Sequence, residues 1–125
     1  MNVLVVDDMA DIRLMLRTLL QFRPGTDRIS EATDGASAIS AAREERPDLI
    51  ILDRHMEPVG GDEALPALRQ IVGDAVIIVY SAFVSDPAEH AGLIDLGADA
   101  VVYKGSLFAD LEQAIAAAVA NRTGA

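Results

Sequence analysis

An α/β fold of five βα units around one parallel sheet is what this sequence predicts, on three observations. Apolar runs of four to six residues alternate with longer stretches in which apolar residues recur at helical spacing, the pattern of repeated strand–helix units. Four of these runs end on residues with chemistry of their own. Val3-Leu4-Val5-Val6 meets Asp7-Asp8, Leu49-Ile50-Ile51-Leu52 meets Asp53, the run from Val76 to Tyr80 meets Ser81, and Ala100-Val101-Val102-Tyr103 meets Lys104, the one lysine of the chain. Finally, 125 residues suffice for a single core and are too few for two.

After the first strand, a helix is expected over about residues 10–22, with Ile12, Met15, Leu16, Leu19 and Leu20 on one face and Pro24-Gly25 as its stop. Arg28-Ile29-Ser30-Glu31-Ala32 is the most polar strand run and suits a sheet edge. Asp34-Gly35 opens the second helix, which turns Ala38, Ile39, Ala41 and Ala42 inward and closes before Pro47. Gly60-Gly61 leads into the third helix, with Pro66 expected in its first turn, where an amide N–H has no intrahelical partner. Asp86-Pro87-Ala88-Glu89 combines a carboxylate N-cap with proline at the first helical position, and Gly97 supplies the stop. The last helix is expected over about Leu107–Asn121, with a core stripe of Leu107, Leu111, Ile115 and Val119. The domain then covers residues 1–121, and 122–125 form a C-terminal tail.

The formal net charge of -10 argues against direct nucleic-acid binding, which needs clustered Lys and Arg, and favours a cationic partner surface. No cysteine is present, so disulfides and thiolate metal sites are excluded. No apolar stretch is long enough to cross a bilayer, and Met1-Asn2 runs directly into an apolar strand without the features of a secretory signal. A cytoplasmic protein is the expectation.

In open parallel sheets, ligands bind in the crevice outside the carboxyl ends of the strands, so the four strand ends define a candidate site. Asp7, Asp8 and Asp53 cannot crowd together fully ionised without compensation, since like charges about 4 Å apart repel by roughly 4 kcal/mol at an effective dielectric of 20. One remedy is a proton held at raised pKa. The other is a hard divalent cation with oxygen ligands, for which Mg²⁺ is the fitting ion because it commonly joins one or two carboxylates to phosphate oxygens. That pairing points to phosphoryl chemistry, with a carboxylate as nucleophile, lysine and metal neutralising the transferred group, and Ser81 donating a hydrogen bond. Each residue also has a plain structural role open to it: Asp8 as the N-cap of the first helix, Lys104 as an ion-pair partner, Ser81 as a turn cap. Asp53 is hardest to assign that way, because it ends the most apolar strand, where an unpaired charge is costly.

The stretches VLVVDD (Val3 to Asp8), PDLIILD ending at Asp53 with Met56, Gly61 and Glu63 beyond it, IVYSA around Ser81 and GADAVVYK ending at Lys104 resemble, in this order and spacing, a response regulator receiver domain, the phosphoacceptor half of bacterial two-component signalling. The resemblance covers essentially the whole chain. It implies a flavodoxin-like doubly wound sheet of strand order 2-1-3-4-5, the order the flavodoxin-like class shares with a chemotaxis receiver. It further implies that Asp53 is the phosphorylated residue, that Asp7, Asp8, Asp53 and the backbone carbonyl of His55 hold Mg²⁺, and that Lys104 and Ser81 contact the phosphoryl group. The donor is then a sensor histidine kinase or histidine phosphotransfer protein. The phosphorylated domain switches a surface read by a downstream protein or output domain, with a homodimer as one form of that readout. Such a protein is a signalling phosphoacceptor that assists its own phosphorylation and dephosphorylation, not an enzyme with a separate substrate.

The departures from the family pattern fall in the switching parts. Glu57 stands where proline commonly follows the methionine, with Pro58 one place later, and Gly105 follows Lys104 where proline is common, so a trans bond is expected there. The family's aromatic switch position holds Val101, and Tyr103 is expected to point to the other face of its strand. Phe83 either guards the site or fills the core, and His55 is expected as a solvent-facing loop residue. A receiver-like interaction module that never cycles through phosphorylation is the alternative. A haloacid-dehalogenase-type hydrolase would need an aspartate where Met9 stands, and no glycine-rich nucleotide fingerprint occurs.

Overall fold

A computed structural model describes residues 1–83 and 86–122. Strands and helices alternate without exception: β1 (Asn2–Val6), α1 (Ala10–Leu20), β2 (Arg28–Ala32), α2 (Gly35–Glu45), β3 (Leu49–Leu52), α3 (Gly61–Val72), β4 (Val76–Ser81), α4 (Pro87–Leu96), β5 (Ala100–Tyr103) and α5 (Phe108–Arg122). The five strands pair in parallel in the order β2-β1-β3-β4-β5, which places β3 at the centre and the polar β2 at an edge. A parallel sheet covered on both faces needs strands that are apolar on both sides, and β3 and β4 are buried at every residue.

Side chains alternate across the sheet and build two cores. Leu4, Val6, Ile50, Leu52, Ile77 and Val79 meet Ala38 and Ala42 of α2, Ala64, Leu65 and Leu68 of α3 and Leu93 of α4. Val3, Val5, Leu49, Ile51, Ile78 and Tyr80 meet Leu16 and Leu20 of α1 and Leu111, Ile115 and Ala118 of α5. The alanines of α2 let that helix lie close to the sheet.

Several helix ends follow from their sequence. Asp34 caps α2 by accepting from the Ser37 N–H at 3.0 Å, with Ser37 returning the favour to the cap backbone. Asp86 accepts from the Glu89 N–H at 2.8 Å, Pro87 opens α4, and Gly97 ends it at φ 126°, a conformation that favours glycine.

Five expectations are corrected. The N-cap of α1 is Met9, not Asp8, whose side chain is exposed and makes no cap bond. Pro66 lies inside α3 because that helix begins at Gly61, so the proline falls in the second turn. Leu107 precedes α5 and is 75 % exposed, while Phe108 takes the inward place. Arg122, assigned to the tail, is the last residue of α5 and pairs with Asp99 at 2.8 Å; the tail residues 123–125 lie outside the described residues. Tyr103 shares the sheet face of Val101, since Val101 packs toward α2–α4 and Val102 toward α1 and α5, and a period of two returns residue 103 to the first face. Tyr103 is nevertheless 56 % exposed, with its ring lying against Gly105. Among the described residues the one cis peptide bond is Glu57–Pro58, so Lys104–Gly105 is trans.

Candidate functional site

The parallel register carries the ends of β1, β3, β4 and β5 to one edge, where backbone bonds fix the residues just past each strand. The Asp7 N–H donates to the Ala32 carbonyl at 3.1 Å, the Asp53 N–H to Val6 at 2.9 Å and the Lys104 N–H to Ser81 at 2.8 Å. The carboxylates of Asp7, Asp8 and Asp53 can each offer an oxygen within 4.8 Å of the others. Asp7 and Asp53 are buried, at 1 % and 5 % exposure, whereas Asp8 faces solvent. Lys104 Nζ donates to Asp7 Oδ2 at 2.6 Å and lies 3.2 Å from Asp53 Oδ1. The second Asp7 oxygen accepts from the Met9 N–H at 2.9 Å.

Two buried acids and one ammonium leave a net negative pocket. Burial pushes the Asp53 carboxyl above its ordinary value and the Asp7 charge adds to the effect, against the opposing pull of Lys104 and of the His55 N–H. Burial alone would lower the pKa of Lys104, but its hydrogen bond to Asp7 and the charges of both carboxylates outweigh that and raise it. The ammonium thus stays charged, and the Asp53 carboxyl is pushed toward its protonated form. Tyr80 lies beneath, its ring centroid 6.0 Å from Nζ.

Ser81 is fully buried; its hydroxyl donates to the Phe83 carbonyl at 2.8 Å and accepts from the Phe83 N–H at 3.2 Å. Asp8, Met9, Asp53, His55, Ala82, Phe83 and Lys104 line a shallow cleft of about 390 Å³ open to solvent. A larger cleft, about 660 Å³ and lined by Arg46, Asp48, Ile71 and Arg122 among others, lies at the opposite end of the sheet, away from the grouped acids. His55 is exposed, and Phe83 at 69 % exposure does not fill the core; their rings meet edge to face at 6.2 Å across the mouth of the cleft. Val101 packs into the core beside α2–α4, and Tyr103 stands on the outer surface.

One residue here escaped the sequence reading. Arg54, next to Asp53, has a largely buried side chain whose guanidinium grips Asp62 of α3 through Nε at 2.9 Å and Nη2 at 2.8 Å, while Nη1 pairs with Glu89 of α4 and donates to the Phe83 carbonyl at 3.2 Å. Nothing in the spacing of residues 54, 62 and 89 marks them as partners.

Gly61 shows how tightly the loop after β3 is wrapped around Asp53. A Cβ built there would come within 2.0 Å of the Asp53 carbonyl oxygen and 3.1 Å of the Arg54 Cα, while the Gly61 N–H donates to the Arg54 carbonyl at 2.9 Å. Gly61→Ala is therefore expected to cost on the order of 2–4 kcal/mol, read as a lower urea midpoint, because backbone rather than a flexible side chain must give way.

A buried acid pair bridged by lysine, with a hydroxyl beside it, at the carboxyl edge of a 2-1-3-4-5 sheet defines a receiver. Residues 3–116 match the family model for the response regulator receiver domain, and the chain belongs to that family. It is 41 % identical over 106 residues to the nitrate/nitrite response regulator protein NarP of Escherichia coli K12, covering 84 % of this chain and 48 % of that one. It is 34 % identical over 117 residues to the transcriptional regulatory protein LiaR of Bacillus subtilis, covering 94 % and 55 % respectively. A LuxR-family two-component response regulator from Aurantimonas sp. SI85-9A1 superposes with a TM-score of 0.88 at 34 % identity, covering 97 % of this chain and 86 % of that one. The chain spans about half the length of the curated relatives it matches. It is a receiver domain of the two-component response regulator class, with an acidic cluster able to hold a metal. No helix among the described residues is long and apolar enough to cross a membrane.

Proposed function

We propose that this receiver takes a phosphoryl group onto an Asp53 carboxylate oxygen, with Mg²⁺ bound by Asp7, Asp8 and Asp53 together with the His55 carbonyl. The observation that carries the reading is the grouping of three carboxylates, two of which Lys104 Nζ touches, Asp7 at 2.6 Å and Asp53 at 3.2 Å. The donor set would suit the ion: every ligand is a hard oxygen, with the Asp7 and Asp53 carboxylates buried and the Asp8 carboxylate exposed. When bound, Mg²⁺ supplies the positive charge that lets an anionic phosphoryl group approach an acidic pocket.

The chain's own residues do the rest. Asp53 is the nucleophile: its carboxylate oxygen forms the new bond to phosphorus as the bond from phosphorus to the donor nitrogen breaks. Lys104, held at one side by Asp7, faces Asp53 and offers its ammonium to the oxygens of the incoming group. Ser81 turns its hydroxyl proton to a phosphoryl oxygen, and the cleft beneath His55 and Phe83 admits the donor. The phosphohistidine of a kinase or phosphotransfer protein is the donor, and the domain acts as a signalling phosphoacceptor in the cytoplasm. The half-length match to a response regulator and a transcriptional regulatory protein supports an output region beyond the receiver, with the switched surface read by that region, by a protein target or by a second copy.

Calorimetric titration with Mg²⁺ tests the metal assignment. One ion per chain is expected, with Asp8→Ala weakening binding by roughly tenfold or more. Equal binding by the variant would remove Asp8 from the ligand set, and no binding by the wild type would leave the interaction module as the reading.

A further inference from the structure

We infer that Arg54 is the positioning residue that relays the state of Ser81 to α4, taking the place of the aromatic coupling that Val101 cannot provide; this rests on the receiver reading above. The Phe83 carbonyl accepts from two donors at once, the Ser81 hydroxyl at 2.8 Å and Arg54 Nη1 at 3.2 Å. A serine hydroxyl has one proton. If that proton is given to a phosphoryl oxygen, it leaves the Phe83 carbonyl, and Arg54 becomes the donor that carbonyl retains. The same guanidinium is anchored on α3 by a two-point grip on Asp62 and reaches Glu89 in the first turn of α4. A change at Ser81 is thereby passed through one rigid planar group to the helix.

The helix at the far end is the one built to respond. Leu93 is the one buried residue of α4, whereas α3 buries Gly61, Ala64, Leu65 and Leu68. With little apolar anchorage, α4 is more readily shifted by a change in the contact of Glu89 with Arg54. Val101, by contrast, is a partly buried aliphatic side chain packed against the core that includes Leu93, and it has no ring to swing. Lysine would not replace Arg54: it keeps the charge beside Asp53 but loses the planar fork that serves Asp62, Glu89 and the Phe83 carbonyl together.

The test is a set of ¹H–¹⁵N spectra of the chain with Mg²⁺, before and after addition of beryllofluoride as a phosphoryl mimic, for the wild type, Arg54→Lys and Glu89→Gln. In the wild type the amides of Asp53, Lys104, Ala91 and Gly92 are expected to move. In both variants those of Asp53 and Lys104 still move, while the displacement at Ala91 and Gly92 is lost. Glu89→Gln leaves the grip on Asp62 in place and guards against a folding defect in Arg54→Lys. Displacements at Ala91 and Gly92 equal to the wild type in both variants would overturn the relay while leaving the receiver reading intact. So would α4 amides at unstructured positions in the resting variants, since Arg54 would then be holding the fold rather than relaying. A wild type that does not respond at Asp53 would overturn both.

Discussion

Asp53→Asn is expected to abolish phosphoryl uptake and at the same time to make the domain more stable at neutral pH. The two effects have one cause. Asp53 is a buried carboxylate facing Asp7, and burial with that neighbouring charge raises its pKa above the ordinary value of 3.8. A group whose folded pKa is raised favours the folded state when protonated. That contribution is fully present below the unfolded value and is lost as pH rises through the folded one, so at pH 7 the ionised Asp53 weighs against folding. Asparagine removes the charge while Lys104 keeps its bond to Asp7, so no ion is orphaned. The gain should be on the order of 1 kcal/mol, limited by the lost attraction to Lys104. Urea unfolding in the presence of a chelator should show the variant above the wild type at pH 7, with the gap closing as pH falls toward 3.8. A variant less stable than the wild type at pH 7 would mean that Asp53 is held by favourable bonds rather than strained in a site waiting for a cation.

Lys104→Met should have the opposite effect on stability and a distinctive pair of effects on function. Among the described residues the ammonium is the one cation that pairs with both Asp7 and Asp53, and methionine keeps most of its unbranched apolar stem without its charge. Breaking a buried ion pair by removing one partner typically costs about 3–5 kcal/mol, because the carboxylates are left facing each other. Mg²⁺ should bind this variant at least as tightly as the wild type, since a competing positive charge has gone, yet phosphoryl uptake should slow by about 10²-fold or more. Stronger metal binding with slower transfer separates a lysine that serves the transferred group from one that merely balances the acids. Transfer at the wild-type rate would assign it the second role.

Much of this arrangement was legible in the sequence because the information is local. The apolar runs at 3–6, 49–52, 76–80 and 100–103 read as buried strands of a parallel sheet, which brings the residue after each to one edge. Asp34, Asp86-Pro87 and Gly97 announced their helix ends, since capping depends on near neighbours. What could not be read were contacts set by tertiary packing. Arg54 meets Glu89 across 35 positions, and its side chain, charged and beside an acid, resembles any surface arginine in the sequence. The inward place of Phe108 over Leu107 depends on where α5 begins, which one residue of shift decides. Tyr103 shows a different failure: strand alternation settles its face, but its exposure depends on how far the helices extend over the end of β5.

The most direct measurement is intact-mass spectrometry of the chain incubated with a small phosphodonor such as acetyl phosphate, with Mg²⁺ or with excess chelator. A single phosphoryl increment that requires Mg²⁺, maps to Asp53 and is absent from Asp53→Asn is the predicted result. An increment of the same size on Asp53→Asn, or one indifferent to the removal of divalent cations, would contradict it.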